Sequence, residues 1–422
     1  MDAVQWKGRE IFDPDSCDRC GECLAECPVF DLDKEGSKRE IENLIQGRNL
    51  EAVIEHCTSC FSCNLFCKSG LLPYELILWR WFERYQDKGL PGLARVVMPS
   101  EPLSLWRNLR PYLSEHEKKS LDSWAKPPKG SEVLFTGTMT CLFPYLLDLK
   151  LFKDVEIIGT EEFWTSGALY YQLGLFDLVE KIGMMVKDRF QKMGIKKVIP
   201  FYAAEYAMLK KIFPRTFGIE FDLEVIDLET WLLDRIKSGE IEIKRKLDMT
   251  VTLQDSCWSK ALGSEFFDRA REILSLTGVR IVEMKNNREH SLCCGFGAGA
   301  GRFSVVDIFQ GIGKRLRQAR ETGADALVTH CTGCLFILSV GLAAQRSKLP
   351  IYHLSQILAM ASGENGENGE NGENGEGGEK LQSRNIQRGA QIIRALIRAG
   401  TRHPLLLMKR FRVEGPAGQA GE

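Results

Sequence analysis

No run of the sequence approaches the roughly 18 apolar residues that a membrane-spanning helix requires, which argues against an integral membrane protein. Neither sign of charge predominates. With 56 Lys and Arg against 57 Asp and Glu the net charge is −1, so no whole-molecule field draws in nucleic acid or an anionic membrane. The opening stretch MDAVQWKGREIFDPDSC carries acidic residues and has no apolar h-region, so no secretory signal is expected and the expected location is the cytoplasm. A reducing compartment leaves structural disulfides little place. What the sequence has in plenty is cysteine.

Thirteen of its 14 cysteines fall into tight groups: 17, 20, 23 and 27; 57, 60, 63 and 67; and 257, 293, 294, 331 and 334. Cys141 stands apart. In a chain without a secretory context, such clustering points to metal ligands rather than scattered structural thiols.

CDRCGECLAECP, residues 17–28, reads C-x2-C-x2-C-x3-C-P, and CTSCFSCNLFCK, residues 57–68, repeats the spacing with Lys68 in place of the proline. This is the bacterial ferredoxin spacing, in which the fourth cysteine of each run serves the other cluster. The expected ligand sets are therefore Cys17, Cys20, Cys23 and Cys67 for one cluster, and Cys57, Cys60, Cys63 and Cys27 for the other. Zinc prefers two cysteine pairs at a tetrahedral centre and would leave the third cysteine of each run surplus. Between the runs, Ile41, Leu44 and Ile45, then Leu50, Val53 and Ile54, recur at helical spacing. The arrangement resembles the all-helical ferredoxin module of succinate dehydrogenase iron–sulfur subunits and of the C-type subunit of heterodisulfide reductase. That resemblance implies two cubane [4Fe–4S] clusters, each passing one electron.

The last group reads C-x35-CC-x36-C-x2-C with Gly295 after the pair. Adjacent cysteines rarely bridge each other, because Cα atoms about 3.8 Å apart fall below the usual disulfide range. The pattern resembles the CCG domain of the B-type subunit of heterodisulfide reductase and of fused relatives in lactate and anaerobic glycerol-3-phosphate oxidation. The resemblance implies a noncubane [4Fe–4S] cluster held by Cys257, Cys293, Cys294, Cys331 and Cys334, which would also be the catalytic residues. Five thiolates exceed what one cube accepts, so a bridging thiolate is expected. Gly295 and Gly297, with Gly299 and Gly301, would let backbone approach the cofactor and turn its N–H groups toward cluster sulfurs. GFGAGAG also invites a phosphate-loop or dinucleotide reading, but it lacks the Lys-Ser/Thr of the first and the preceding strand of the second.

An internal repeat is visible. MGIKKVIPFYAAEYAMLK (193–210) aligns with TGADALVTHCTGCLFILS (322–339), so Tyr202 and Glu205 stand where Cys331 and Cys334 stand in the second copy. EEFWTSGA matches HSLCCGFGA, placing Phe163 and Trp164 at the cysteine pair, and Cys141 matches Cys257. A copy with one cysteine cannot hold a cluster, so it is expected to be scaffold, with its bulky aromatics plugging the vacated cavity. Short apolar strands alternating with helical segments argue α/β units on parallel sheets, with ligand loops at strand C-termini. The expected fold class is α+α/β: an all-helical two-cluster ferredoxin domain followed by two tandem α/β CCG-type repeats. The expected boundaries are 1–95 for the ferredoxin domain, 96–130 for a connecting segment, 131–242 for the degenerate repeat and 243–361 for the intact one. The acidic repeat at 362–380 reads as a disordered linker. Residues 381–422 read as a basic tail, either docking as an amphipathic helix on a partner or on the cytoplasmic membrane face, or frayed in solvent.

Fusion of a wire to a terminal site resembles the D-type subunit of heterodisulfide reductase. It implies an oxidoreductase component exchanging electrons between a redox partner, such as a flavoprotein, hydrogenase-type or b-type cytochrome subunit, and a thiol/disulfide couple. A second reading is a non-catalytic relay between a flavin dehydrogenase or electron-transferring flavoprotein and a quinone-reducing membrane partner. His330, beside Cys331, is a candidate proton donor, although a lone histidine there is more often structural.

Overall fold

Asp33 starts the first long helix by accepting a hydrogen bond from the Gly36 amide, and Gly47, in the left-handed region, ends it after Lys34–Gln46. Ile41, Leu44 and Ile45 on its inner face, with Val53 and Ile54 from the next turn, are fully buried. The helix Pro73–Lys88 closes this unit, and Arg80 holds it to the first helix by donating to the Leu44 and Ile45 carbonyls at 2.7 Å. A hairpin of β1 (Val4–Trp6) and β2 (Arg9–Phe12) precedes it. Trp6 packs edge-on to Phe82 and beside Phe176 and Phe217, tying the helical region to the first α/β repeat. The computed structural model describes all residues except 1–3, 100, 102, 160–164, 297–302, 365–375, 403–409 and 412–422, and only the backbone of 376–383, 402, 410 and 411.

After β3 (Leu90–Pro91), two parallel sheets share one plan. The first contains β4 (Glu132–Phe135), β5 (Glu156–Ile158), β6 (Lys197–Pro200) and β7 (Glu224–Val225), in spatial order β5-β4-β6-β7. The second contains β8 (Thr250–Gln254), β9 (Arg280–Ile281), β10 (Ala326–Thr329) and β11 (Ile351–His353), in order β9-β8-β10-β11. In each, the first strand sits between the second and third, and the fourth lies outside the third. Their central strands are buried apolar runs, as parallel sheets covered on both faces require. Cys257 follows the first strand of its sheet and Cys331 the third, and Tyr202 follows the third strand of the other sheet.

The residues between 96 and 130 are more than a connection. Helices Leu105–Leu109 and Glu115–Trp124 form there, the second started by a capping box between Ser114 and Glu117.

The C-terminal segment departs from both expected readings. A helix spans Glu376–Arg402, beginning inside the stretch read as linker. It lies against the buried helix Thr332–Ala344, with Ile392, Ala395 and Ala399 inaccessible. A side chain at Gly389 would collide with the Ser339 carbonyl, so glycine there permits the close approach. Asn385 donates to the Ile351 carbonyl at 2.7 Å and accepts from the Tyr145 hydroxyl at 2.6 Å. Arg388 donates to the Leu142 carbonyl and pairs with Glu117, both side chains being buried. A basic residue read as part of a docking surface is thus used within the chain, and with Asn385 it braces the two repeats. β12 (Arg410–Phe411) pairs antiparallel with β3. Among the described residues, no helix is long and apolar enough to cross a membrane.

Candidate metal centres

The two ferredoxin-type runs fold into the same loop. Arg19 and Gly21 in one, and Ser59 and Phe61 in the other, have positive φ at matching offsets from Cys17 and Cys57. Phe61 takes φ 63°, which is costly for a side chain. It is held there between Tyr74 and Trp258, at ring distances of 4.2 and 4.8 Å.

The structure places Cys27 of the first run beside the second run, and Cys67 of the second run beside the first. Cys27, Cys57, Cys60 and Cys63 line one small cavity. Burial, then the proximity of Cys60, pushes the Cys27 thiol up to about 12. In the other group, burial and then Cys67, Cys17 and Cys20 push the Cys23 thiol up to about 12. Cys17, Cys20 and Cys67 are half-buried, whereas Cys57, Cys60 and Cys63 are buried. The first group is therefore the one nearer solvent. Lys68, at the position of the missing proline, pairs with Glu22 at 3.2 Å.

Cys257, Cys294, Cys331 and Cys334 line a second pocket. Cys293 opens instead onto an adjoining cleft beside Phe30, His56 and Thr58. The adjacent pair thus borders both spaces, with the two side chains in hydrogen-bonding contact. Hydrogen bonds from Cys293 and Cys334 hold the Cys294 thiol well below its ordinary value, whereas burial and then Cys294 and Cys331 push Cys257 well above it. Gly295 has φ 103° and its amide donates to Cys293 Sγ at 3.4 Å; a side chain there would strike Ile312. Gly297, Gly299 and Gly301 lie outside the described residues, as do Phe163 and Trp164.

No three His, Cys, Asp or Glu side chains among the described residues close round a point as a single ion demands. The cysteines stand instead around cavities, in apolar surroundings with few cations to balance them. That donor set suits a polynuclear iron–sulfur group, which brings its own positive iron to crowded thiolates.

The second ferredoxin loop and the five-cysteine pocket meet at a seam that the cysteine spacing did not reveal. Gln172 donates to the Ser59 carbonyl at 3.0 Å and to Cys257 Sγ at 3.6 Å. Lys260, one turn after Cys257 and 2% exposed, donates to Ser62 Oγ at 2.7 Å and to the Ser291 carbonyl at 2.6 Å. Burial alone would raise the Cys60 thiol, but the Lys260 ammonium and the Ser62 hydroxyl outweigh it and hold that thiol below its ordinary value.

His330 is fully engaged away from the pocket. Its Nε2 accepts from the Ser256 amide at 3.2 Å, and its Nδ1 lies 2.7 Å from the Glu229 carboxylate. It joins the loop that starts Cys257 to the first repeat, which is a structural task. Tyr202 and Glu205, read as relics of a lost site, line the pocket of Cys257, Cys294, Cys331 and Cys334 itself. The first repeat is therefore a wall of the second repeat's site.

Residues 9–68 match the 4Fe-4S dicluster domain and residues 251–339 match the CCG cysteine-rich domain. The chain is 25% identical over 84% of its length to the D subunit of the dihydromethanophenazine:CoB–CoM heterodisulfide reductase of Methanosarcina barkeri, covering 95% of that protein. It is 22% identical to the EtfAB:quinone oxidoreductase of Syntrophomonas wolfei, over 84% of this chain and 58% of that one. A probable iron-sulfur-binding oxidoreductase of Bacillus subtilis, FadF, is 30% identical over 49% of this chain and 29% of its own. The chain joins a 4Fe-4S dicluster domain to a CCG cysteine-rich domain and is related over most of its length to the D subunit of heterodisulfide reductase.

Proposed function

We propose that the protein is the iron–sulfur subunit of a redox complex of heterodisulfide reductase type, conducting electrons between a partner protein and a thiol/disulfide couple. Cys17, Cys20, Cys23 and Cys67 would hold one cubane [4Fe–4S] cluster, Cys27, Cys57, Cys60 and Cys63 the other, and Cys257, Cys293, Cys294, Cys331 and Cys334 a noncubane one. Such clusters, when bound, supply one-electron steps, and at the last an iron able to bind sulfur.

The observation that carries this reading is the seam. Gln172 spans from the Ser59 carbonyl to Cys257 Sγ, so the buried ferredoxin loop abuts the five-cysteine pocket while the half-buried first group faces outward. That order, from the surface inward, is what a chain fed by a redox partner needs. The partner would be a flavoprotein, hydrogenase-type or b-type cytochrome subunit, seated near Cys17, Cys20 and Cys67. The CCG pocket walls are mostly apolar, and the cleft at Cys293 gives a small thiol or disulfide a way in.

The test is spectroscopic. Anaerobically purified protein is reduced with dithionite, then oxidised with and without a low-molecular-weight disulfide. A paramagnetic signal that forms only with thiol present is the expected result. Full reduction and reoxidation of all the iron with no thiol-dependent signal would favour pure electron transfer, the reading that the similarity to EtfAB:quinone oxidoreductase supports.

A further inference from the structure

Breaking a disulfide needs protons as well as electrons: R–S–S–R′ with two electrons and two protons gives two thiols. The electrons would come from a reduced flavoprotein- or cytochrome-class donor, but His330 is not placed to supply a proton. Among the described residues the pocket offers one carboxylic acid. Glu205, on the helix Ala203–Ala207 of the first repeat, is 1% exposed and lines the same pocket as Cys257, Cys294, Cys331 and Cys334.

Glu205 is built into place. A methyl group at Gly137 would run into its carboxyl, so that backbone is shaped around the acid. Its Oε2 is buried without a hydrogen-bond partner. No Lys, Arg or His among the described residues lines the pocket. Among the described residues the titratable groups around the carboxyl are Tyr202 on its own segment, Cys141, which donates to the Gly137 carbonyl, and the four cysteines of the second repeat that line the same pocket. A carboxylate in that setting is desolvated and has no cation beside it, so the neutral acid is favoured. Burial raises its pKa to about 7, against the opposing pull of Ser166, Tyr202 and Thr138, none of them a cysteine. The Tyr202 hydroxyl is pushed well above its ordinary value by burial and then by Glu205, so it holds its proton.

We propose that Glu205 is the proton donor of this pocket, passing a proton to the thiolate set free when a disulfide is cleaved there. The S–S bond breaks as two electrons enter, one thiolate sulfur takes the Glu205 proton, and the other takes a proton from water. The resulting carboxylate recovers its proton from solvent, and in thiol oxidation the transfer runs backward. The first repeat thus contributes chemistry from the position where the second contributes a cysteine ligand. This inference rests on the thiol/disulfide reading above.

The test uses the full iron-loaded chain. Wild type and Glu205→Gln are matched for iron content and oxidised anaerobically in the presence of 2-mercaptoethanol from pH 5.5 to 8.5, and the thiol-dependent paramagnetic signal is followed. The expected result is an inflection near pH 7 in wild type that is lost in the variant. Identical pH profiles overturn the inference alone, whereas a wild type without any thiol-dependent signal overturns the thiol/disulfide reading and this inference with it. If the variant does not load iron, infrared difference spectra of the wild type decide. A protonated-carboxyl band that titrates away near pH 7 supports Glu205 as the donor, and its absence at pH 6 overturns it.

Discussion

Replacing Lys260 by methionine removes a buried positive charge from between two of the proposed clusters while keeping most of the side chain's volume. The ammonium donates to Ser62 Oγ at 2.7 Å, and that oxygen lies 3.4 Å from Cys60 Sγ, so the charge stands within about 6 Å of a proposed ligand. Its acceptors are neutral, the Ser62 hydroxyl and the Ser291 carbonyl. A buried ammonium without a counter-charge is expensive, and an anionic iron–sulfur group on either side is what would offset it. At roughly 8 Å to the centre of a delocalised added electron, and an effective dielectric constant of about 20, the interaction is about 2 kcal/mol. For a one-electron couple that corresponds to about 90 mV. Anaerobic potentiometric titration followed by paramagnetic resonance should therefore show one cubane signal moving about 90 mV more negative in Lys260→Met. The other cubane, at Cys17, Cys20, Cys23 and Cys67, should barely move, and iron content should be unchanged. Lys260→Arg, which keeps the charge, should recover most of the shift. A change under about 20 mV, or an equal change in both cubanes, would refute the placement of Lys260 beside the cluster held by Cys27, Cys57, Cys60 and Cys63.

Three further outcomes are expected from the same structure. Arg388→Met leaves the Glu117 carboxylate buried with Ser114 and the more distant Arg384 guanidinium, at 4.0 Å, as its partners, at a cost of about 3 kcal/mol; the melting temperature of the anaerobic protein should fall and Glu117→Gln should restore part of it, whereas a freely docking tail would leave it unchanged. Glu205 is protonated in the folded chain up to about pH 7 but only to about 4.5 when unfolded, so its stabilising contribution is complete below pH 4.5 and is lost as pH rises through 7. The span corresponds to about 3 kcal/mol; Glu205→Gln should therefore melt higher than wild type at pH 8 and close to it at pH 4.5, and a constant difference across pH would contradict the assignment. The double variant Cys293→Ser and Cys294→Ser should lose about a third of the iron while both cubane signals persist, three four-iron groups being the proposed content.

The sequence exposed the cysteines because their chemistry demands short, rigid spacing. The crossed grouping of Cys27 with Cys57 and of Cys67 with Cys17 could be read before any fold was known. The strands β4, β5, β6, β8, β9 and β10 were legible as short β-branched runs. β7 and β11 were not, since Glu224–Val225 and Ile351–His353 are short and, unlike the equally short β9 within VRIVEM, are not set in a longer apolar run. Residues 381–402 carried a clear amphipathic pattern, but periodicity does not say what covers an apolar face. The deciding contacts, from Asn385 to Ile351 and from Arg388 to Glu117, join residues far apart in the chain. Lys260 and Gln172 were invisible for the same reason. Each is an ordinary residue until the fold brings a ferredoxin loop against it.

The degenerate repeat was expected to be scaffold with its cavity plugged, and its geometry argues for a larger part. A vacated ligand site costs little if filled with apolar side chains, and burying a carboxyl there instead is unfavourable by itself. Yet Glu205 stands where Cys334 stands when the two copies are aligned by sequence, and a side chain at Gly137 would run into its carboxyl. Gln172, from the same repeat, reaches Cys257 Sγ, and Glu229 orients the histidine beside Cys331. Two polar side chains of one repeat thus line the pocket of the other's cysteines, and a third braces the histidine that holds the loop before Cys257. Packing alone would not select that set, because leucine or phenylalanine at these positions would fill the space without desolvating a charge. Retaining an acid in a pocket without a cation is explicable if the acid exchanges a proton there, and a fold made of two like halves offers the position for it directly across from the thiols.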